Sequence, residues 1–285
     1  MSKVFLPRTL PELWQLWERY PEAMVYAGGT DLLVKRQKGL VRADHLLCLE
    51  RVDELKQIQD KEDEVFLGGL ATHTRISAHP LVQNEFPVLG QALSKLGSPP
   101  IRHMGTLGGN LITASPAGDA LPPLYALQAQ VEILSADSSR RINLKDLITG
   151  PGQVSLQDRE ILAGVWVVKA PEFNLHHFEK VGQRQALAIA IASLAALIQV
   201  NPEGVIEKAS LAWGSVGPTV VASAQVNRFL EGRPLDMSTL KQAADLARQE
   251  VSPIDDIRAS AAYRREVAGN LVLRLAQYSK GLYGE

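Results

Sequence analysis

Two double glycines constrain this chain more than any other feature of its sequence. The first, Gly28-Gly29, follows an apolar run of strand length at residues 24–27 and precedes a helical-looking segment at residues 32–36. Successive glycines permit positive φ angles, from which a backbone can form a concave site whose N–H groups face an anion. A strand, a double glycine and a helix in this order therefore predict a phosphate-binding loop.

The second double glycine is Gly108-Gly109, and short polar side chains stand beside both pairs at Thr30, Thr106 and Asn110. We expect its amides to be available to an anion as well. Either pair, taken alone, is also what a tight turn without a ligand would show. No GxGxxG occurs, so an ordinary Rossmann dinucleotide site is not indicated.

The composition narrows the class of protein. The 285 residues are enough for two domains, and 30 Lys+Arg stand against 31 Asp+Glu without a basic run, which argues against nucleic-acid binding. The longest apolar stretch, residues 186–200, is interrupted by Ser193 and Gln199 and is too short to cross a bilayer. The N-terminus lacks the apolar core of a signal peptide. We therefore expect a cytoplasmic protein with no membrane span.

Cysteine and histidine offer little metal chemistry. Cys48 is the only cysteine, which excludes an internal disulfide, a cysteine-ligated zinc site and an iron–sulfur cluster within this chain. We interpret it as a buried core thiol, as expected in a reducing compartment. His73 and His103 have no second ligand at metal spacing, so we interpret them as structural or surface residues. The adjacent His176-His177 would face opposite sides of a strand and cannot easily share a metal.

Helix and strand signals alternate through the first 170 residues. Thr9 can cap a helix, with Pro11 in its first turn and Glu12 at the capping-box position. Further strands are expected at residues 45–49, 64–70, 131–134 and 161–168, and a helix near residues 87–96. The polar connection at residues 135–158 carries no chemistry that we can assign.

The composition changes after Pro171. Residues 186–200 and 205–216 flank the turn sequence Asn201-Pro202-Glu203-Gly204, which predicts an antiparallel hairpin. Helical periodicity dominates from about residue 222 onward. A domain boundary is therefore expected near residues 171–178.

Both loops resemble those of one known family. Tyr26-Ala27-Gly28-Gly29-Thr30-Asp31-Leu32 resembles the first flavin-binding loop of the FAD subunits of molybdenum hydroxylases, the group of xanthine dehydrogenase and carbon monoxide dehydrogenase. Ile101-Arg102-His103-Met104-Gly105-Thr106-Leu107-Gly108-Gly109-Asn110-Leu111 resembles the second, and residues 112–119 continue the likeness. It extends to Glu160-Ile161-Leu162 and Phe178-Glu179-Lys180 and covers nearly the whole chain.

The resemblance implies an α+β fold with non-covalent FAD. A two-lobed FAD-binding domain of the PCMH (vanillyl-alcohol-oxidase-like) type would span residues 1–174, as two α/β lobes split near residue 60. A C-terminal domain of antiparallel strands and helices would span residues 175–285. The implied FAD contacts are Val25, Tyr26, Ala27, Gly28, Gly29, Thr30, Asp31, Leu32, Leu96, Thr106, Leu107, Gly108, Gly109, Asn110, Asp119, Leu162 and Lys180.

Three of these implied contacts have plainer interpretations. Asp119 could cap a loop, Leu162 could be an ordinary core residue, and Lys180 could be a surface cation. If Lys180 lies at the pyrimidine end of the flavin, its charge would stabilise the reduced anionic ring. Ala188 departs from the family, which commonly carries an acidic residue there, and this puts in doubt any mechanism that needs that carboxylate.

The family likeness also implies a role in a complex. A molybdenum-cofactor large subunit would hydroxylate the substrate, and a [2Fe-2S] small subunit would pass electrons through FAD to NAD or another acceptor. The protein would hold and tune the flavin, and the redox chemistry would belong to the cofactor. Two alternatives stay open: a self-sufficient flavin oxidoreductase, and a non-catalytic FAD-binding or assembly protein.

Overall fold

The chain begins with a small parallel sheet. The structure, a computed structural model, describes residues 3–170, 172–184 and 187–279. Strands β1 (Lys3–Phe5), β2 (Met24–Tyr26) and β3 (His45–Cys48) lie in the order β1-β3-β2. Helix α1 (Leu10–Arg19) connects β1 to β2. The Thr9 hydroxyl accepts from the Glu12 amide at 3.3 Å, so the predicted cap is confirmed. The Glu12 carboxylate reaches the Arg8 amide, one residue before the expected partner.

A five-stranded antiparallel sheet follows, made of β4 (Ile58–Asp60), β5 (Glu64–Gly68), β6 (Gln130–Leu134), β7 (Ser139–Asn143) and β10 (Ile161–Val168). The strands lie in the order β4-β5-β10-β6-β7. A short antiparallel pair, β8 (Ile148–Gly150) and β9 (Gln153–Val154), lies between β7 and β10 in the chain. The strands expected near residues 64, 131 and 161 are confirmed, and β10 takes the central place because both its faces are apolar and buried.

Short helices connect and cover these sheets. They are α2 (Leu32–Gln37), α3 (His73–Ser77), α4 (Pro80–Glu85), α5 (Pro87–Ser94), α6 (Pro99–Met104), α7 (Leu107–Thr113), α8 (Leu121–Ala126) and α9 (Leu144–Leu147). No helix in the described part of the chain has the length and apolar character needed to cross a membrane.

The C-terminal part is a four-stranded antiparallel sheet with helices on one face. Its strands are β11 (Leu175–Val181), β12 (Ala192–Val200), β13 (Ile206–Gly214) and β14 (Val221–Ala222). Its helices are α10 (Ala224–Leu230), α11 (Met237–Glu250) and α12 (Ala261–Leu273). Trp213 is fully buried and its indole N–H donates to the Ala268 carbonyl at 3.1 Å, which joins the sheet to α12.

The predicted hairpin is present, but its first arm begins later than expected. Ala186 lies outside the described residues, and β12 starts only at Ala192. Leu187 has a φ of 56° and, like Ile189, is about half exposed, so this apolar segment forms the connection between β11 and β12. Apolar residues alone do not separate a strand from an exposed connection, which explains the error.

The largest hydrophobic core is shared between the two parts. It contains Val65, Leu89 and Leu124 together with Phe178 and Leu197 of the C-terminal sheet. A second core lies between the other face of that sheet and α10–α12, and a third lies beneath the N-terminal sheet. The domain ranges 1–174 and 175–285 therefore stay a prediction, although β11 does begin at residue 175.

Gly90 provides a stability prediction. It lies within α5, and a Cβ built on it would meet no atom within 4 Å. We expect Gly90→Ala to raise the free energy of unfolding by about 0.5–1 kcal/mol, because alanine loses less backbone entropy in a helix. Chemical denaturation of both proteins measures this, and a lowered free energy of unfolding would contradict it.

Candidate cofactor-binding site

The two glycine loops touch each other. Gly28 follows β2, and a Cβ built on it would overlap the carbonyl oxygen of Met104, the last residue of α6. Gly29 has a φ of 70°, a left-handed conformation that glycine adopts without strain. Both glycines of the first pair are therefore required by the backbone itself, one for close approach and one for its φ angle.

The first loop presents free backbone donors. Within the described residues, no protein group accepts a hydrogen bond from the N–H groups of residues 28–32. Leu33 and Lys35 donate to the carbonyls of Gly29 and Asp31, which fixes the loop against the start of α2. Five neighbouring amides that lack a protein acceptor form the kind of concave donor surface that binds anions.

The second loop differs from the expectation, because its double glycine lies inside the first turn of α7. Gly108 allows close packing, since a Cβ there would lie 2.8 Å from the Gly69 carbonyl oxygen. Four successive amides donate within the protein: Leu107 to Ala71, Gly108 to Gly69, Gly109 to the Thr106 hydroxyl, and Asn110 to the Thr106 carbonyl. The prediction of free amides is therefore right for the first loop and wrong for the second.

A cavity of about 360 Å³ opens between the loops. Most of the predicted contacts line it: Val25, Tyr26, Ala27, Gly28, Gly29, Thr30, Asp31, Leu32, Leu96, Thr106, Gly109 and Asn110. One buried polar atom of its lining residues, Oδ1 of Asn110, has no hydrogen-bond partner. Buried polar atoms are rarely left unpaired, so a ligand with polar groups fits this cavity.

A smaller apolar cavity of about 140 Å³ adjoins the first. The two share Val25, Tyr26, Ala27, Gly109 and Ile112. Gly108 and Leu162 line this second cavity. Leu162 also belongs to the main hydrophobic core, so its interpretation as a core residue is confirmed and its contact with the flavin stays a prediction. Leu107 lines neither cavity, because its side chain is fully buried in the core.

Asp119 and Lys180 form a buried ion pair. Lys180 Nζ lies 2.6 Å from Asp119 Oδ2, and each side chain is only 7% exposed. Lys180 also donates to the Lys95 carbonyl. Burial raises the pKa of Asp119 to about 6, against the opposing effect of the Lys180 ammonium. The surface-cation interpretation of Lys180 and the loop-capping interpretation of Asp119 are therefore wrong.

The pair lies beside another cavity, of about 370 Å³. Lys95, Lys180, Arg184 and Ala188 are among its lining residues. Lys95 precedes Leu96, which lines the loop cavity, so neighbouring residues of one short segment line the two cavities. A carboxylate at position 188 would face these cations, and alanine leaves the described lining positively charged.

Comparisons with known proteins match this arrangement. Residues 1–167 match the family described as FAD binding domain in molybdopterin dehydrogenase, and residues 177–279 match the CO dehydrogenase flavoprotein C-terminal domain. The chain belongs to this flavoprotein family.

Individual relatives agree along nearly their whole length. The chain is 31% identical over 267 residues to the nicotinate dehydrogenase FAD-subunit of Eubacterium barkeri, covering 92% of this chain and 90% of that one. It is 29% identical over 259 residues to the xanthine dehydrogenase FAD-binding subunit of Escherichia coli, covering 90% and 88%. The structure of quinoline 2-oxidoreductase from Pseudomonas putida superposes with a TM-score of 0.93, at 27% identity over 99% of both chains.

Membership of the flavoprotein family confirms the predicted α+β fold and FAD as the cofactor. The chain is a flavin-dependent oxidoreductase subunit, of the type that binds FAD in molybdenum hydroxylases. The sequence interpretation missed several residues that line the loop cavity: Lys35, His73, Ile101, Gly105, Ile112, Thr113 and Gly152. Nothing in the sequence distinguishes His73 from the other histidines, because only the approach of α3 to the second loop brings it there.

Proposed function

We propose that the first glycine loop holds the diphosphate of a non-covalently bound FAD. The observation that carries this proposal is the row of five unpaired amides at residues 28–32, since each can donate to a phosphate oxygen without breaking a protein hydrogen bond. The loop cavity and the smaller apolar cavity that adjoins it would receive the two ends of the cofactor. Leu96 lines the loop cavity, and Leu162 lines the smaller one.

Asp119, Lys180 and residues 106–110 would complete the proposed site. Thr106 caps α7 and orders the second loop, and the unpartnered Oδ1 of Asn110 is an acceptor available to the ligand. The Lys180 ammonium is held by Asp119 and by the Lys95 carbonyl. It would present a fixed positive charge to a flavin ring, with no reorganisation needed when the ring gains negative charge.

We further propose that the chain relays electrons between other subunits. They would arrive from a [2Fe-2S] subunit associated with a molybdenum-cofactor subunit and leave to NAD or another acceptor. A single cysteine, Cys48, means that this chain cannot build a four-cysteine cluster of its own. Cys48 is a buried free thiol, as expected for a protein that works in the reducing environment of the cytoplasm. When bound, FAD supplies the exchange between single-electron and two-electron chemistry, and the chain supplies its binding site.

The first test is to purify the full chain and measure its absorbance spectrum and flavin content. We expect a flavin spectrum and about one FAD per chain, released unmodified by heat or acid and identified by chromatography. The partner-free chain should show negligible turnover by itself. Iron–sulfur and molybdenum subunits, added together with the reducing substrate that the molybdenum subunit oxidises, should reduce its flavin. A chain that takes up no FAD when offered an excess would overturn the binding proposal.

Turnover of a small substrate by the chain alone would instead indicate a self-sufficient flavin oxidoreductase. Bound FAD that the complete complex cannot reduce would overturn the relay and leave an FAD-binding assembly protein.

A further inference from the structure

The two edges of the His73 ring have different surroundings. The residue is 2% exposed, and its Nδ1 has no hydrogen-bond partner. The opposite edge of the ring faces the second loop, because a Cβ built on Gly105 would lie 3.1 Å from Cδ2 and 3.3 Å from Nε2. Gly105 has no side chain to cover that edge, and His73 is one of the residues that line the loop cavity.

Backbone hydrogen bonds hold His73 against the second loop. His73 is the first residue of α3, which Thr72 caps by accepting from the Arg75 amide. The His73 amide donates to the Gly105 carbonyl at 3.1 Å, and Thr72 pairs with Thr106 in an isolated bridge. The backbone of His73 is therefore fixed directly to the loop whose threonine and asparagine line the same cavity.

The surroundings also determine which nitrogen carries the proton. A buried N–H with no acceptor is costlier than a buried bare nitrogen, so the proton belongs on Nε2 and the sealed Nδ1 stays unprotonated. Burial, reinforced by the positive charge of Arg102, lowers the pKa of His73 to about 4. At neutral pH the side chain therefore offers one uncharged N–H donor at the cavity wall.

We propose that His73 is a nucleotide-binding residue of the FAD site, its neutral Nε2–H donating a hydrogen bond to an oxygen of the diphosphate held by residues 28–32. The proposal rests on the proposed function, since it needs FAD in the loop cavity. Residues 28–32 of the first loop and His73 at the start of α3 line the same cavity. His73 would therefore join the second loop to a ligand that the first loop holds, a connection that the occupied amides of α7 cannot make.

The test compares FAD binding by full-length wild-type, His73→Leu and His73→Gln chains. We expect about tenfold weaker binding for His73→Leu, the loss of one hydrogen bond to a charged group. His73→Gln keeps an N–H donor and should bind within about threefold of wild type. The matched control is His79→Leu, because the Nδ1 of His79 is also buried and unpartnered, yet His79 does not line the loop cavity. Its affinity for FAD should be unchanged.

Two further measurements exclude a merely structural role. In histidine-labelled wild-type protein, which has six histidines, FAD should shift the His73 Nε2 resonance and leave that of His79 unmoved. The ratio of wild-type to His73→Leu affinity should be the same at pH 6 and pH 8. A ratio that grows as the pH falls would show a cationic histidine and overturn the neutral donor.

Each negative outcome has a separate meaning. A wild-type chain that binds no FAD would overturn both this proposal and the proposed function. A wild-type chain that binds FAD, with equal affinity in His73→Leu or with an unmoved His73 resonance, would overturn the role of His73 alone. The resonance is measured on wild-type protein, so the test stays decisive even if a variant fails to fold.

Discussion

Replacing Gly28 with alanine should weaken FAD binding by about a hundredfold. The added methyl would overlap the Met104 carbonyl oxygen, and a backbone carbonyl cannot turn aside as a side chain can. Relief requires the first loop to move away from α6, which separates the free amides from the second loop. Overpacking of this kind costs about 1–3 kcal/mol, and the upper end corresponds to the expected loss of affinity.

Calorimetric titration of the cofactor-free full chain with FAD measures this effect. Gly90→Ala is the matched control, since the same substitution meets no atom within 4 Å and lies outside the loops. It should bind FAD as the wild type does. Wild-type affinity in Gly28→Ala, with a normal unfolding transition, would show that contact between the loops does not shape the site.

Removing Lys180 should produce the largest loss of stability. Lys180→Met leaves the Asp119 carboxylate buried without its cation, a defect that costs about 3–5 kcal/mol in other buried pairs. Denaturant unfolding at pH 8 measures the loss. A double variant, Lys180→Met with Asp119→Leu, should recover much of it, because an apolar pair leaves no charge to bury.

The same variant should respond to pH in a defined direction. Burial raises the pKa of Asp119 to about 6 even with Lys180 present, and removing the cation raises it further. A carboxyl whose pKa rises on folding favours the folded state below its ordinary value, and that contribution is lost as the pH rises through the folded value. The penalty of Lys180→Met should therefore be small at pH 5 and large at pH 8.

Asp119→Asn provides the matched comparison, because it leaves the Lys180 ammonium buried without its carboxylate and should also lower the free energy of unfolding. A penalty of Lys180→Met that stays the same between pH 5 and pH 8 would show that the Asp119 carboxylate is not held as a charged group.

The sequence predicted the first loop because its requirement is local. A strand end, two glycines and a following helix occupy consecutive positions, and Gly29 adopts the positive φ that such a loop needs. The second loop carries the same glycine pair for another reason. Its glycines lie in a helix and allow α7 to approach Gly69, a contact between residues about forty positions apart. Sequence spacing cannot report a contact of that kind.

The other features that the sequence did not predict depend mainly on contacts between residues distant in sequence. Asp119 and Lys180 were expected near the cofactor through family resemblance, but nothing in the residues showed that they pair with each other. The polar connection at residues 135–158 contains the edge strand β7. Exposed and half-buried residues alternate along this strand, but nearly all of them are polar, so the sequence shows no alternation of polar and apolar residues. His73 looked like an ordinary histidine because only Gly105 gives it access to the cavity.

The shared hydrophobic core can be completed only late in the synthesis of the chain. Leu89 and Leu124 are made early, whereas their core companions Leu197 and Ala212 emerge from the ribosome much later. At about 5–20 residues per second, Ala212 is synthesised roughly 6–25 s after Leu89. For that interval the growing chain carries apolar surface that its own C-terminal sheet will later cover. A nascent chain of this design therefore exposes aggregation-prone apolar surface until its C-terminal sheet is made, and the Asp119–Lys180 ion pair can form only after β11 has been synthesised.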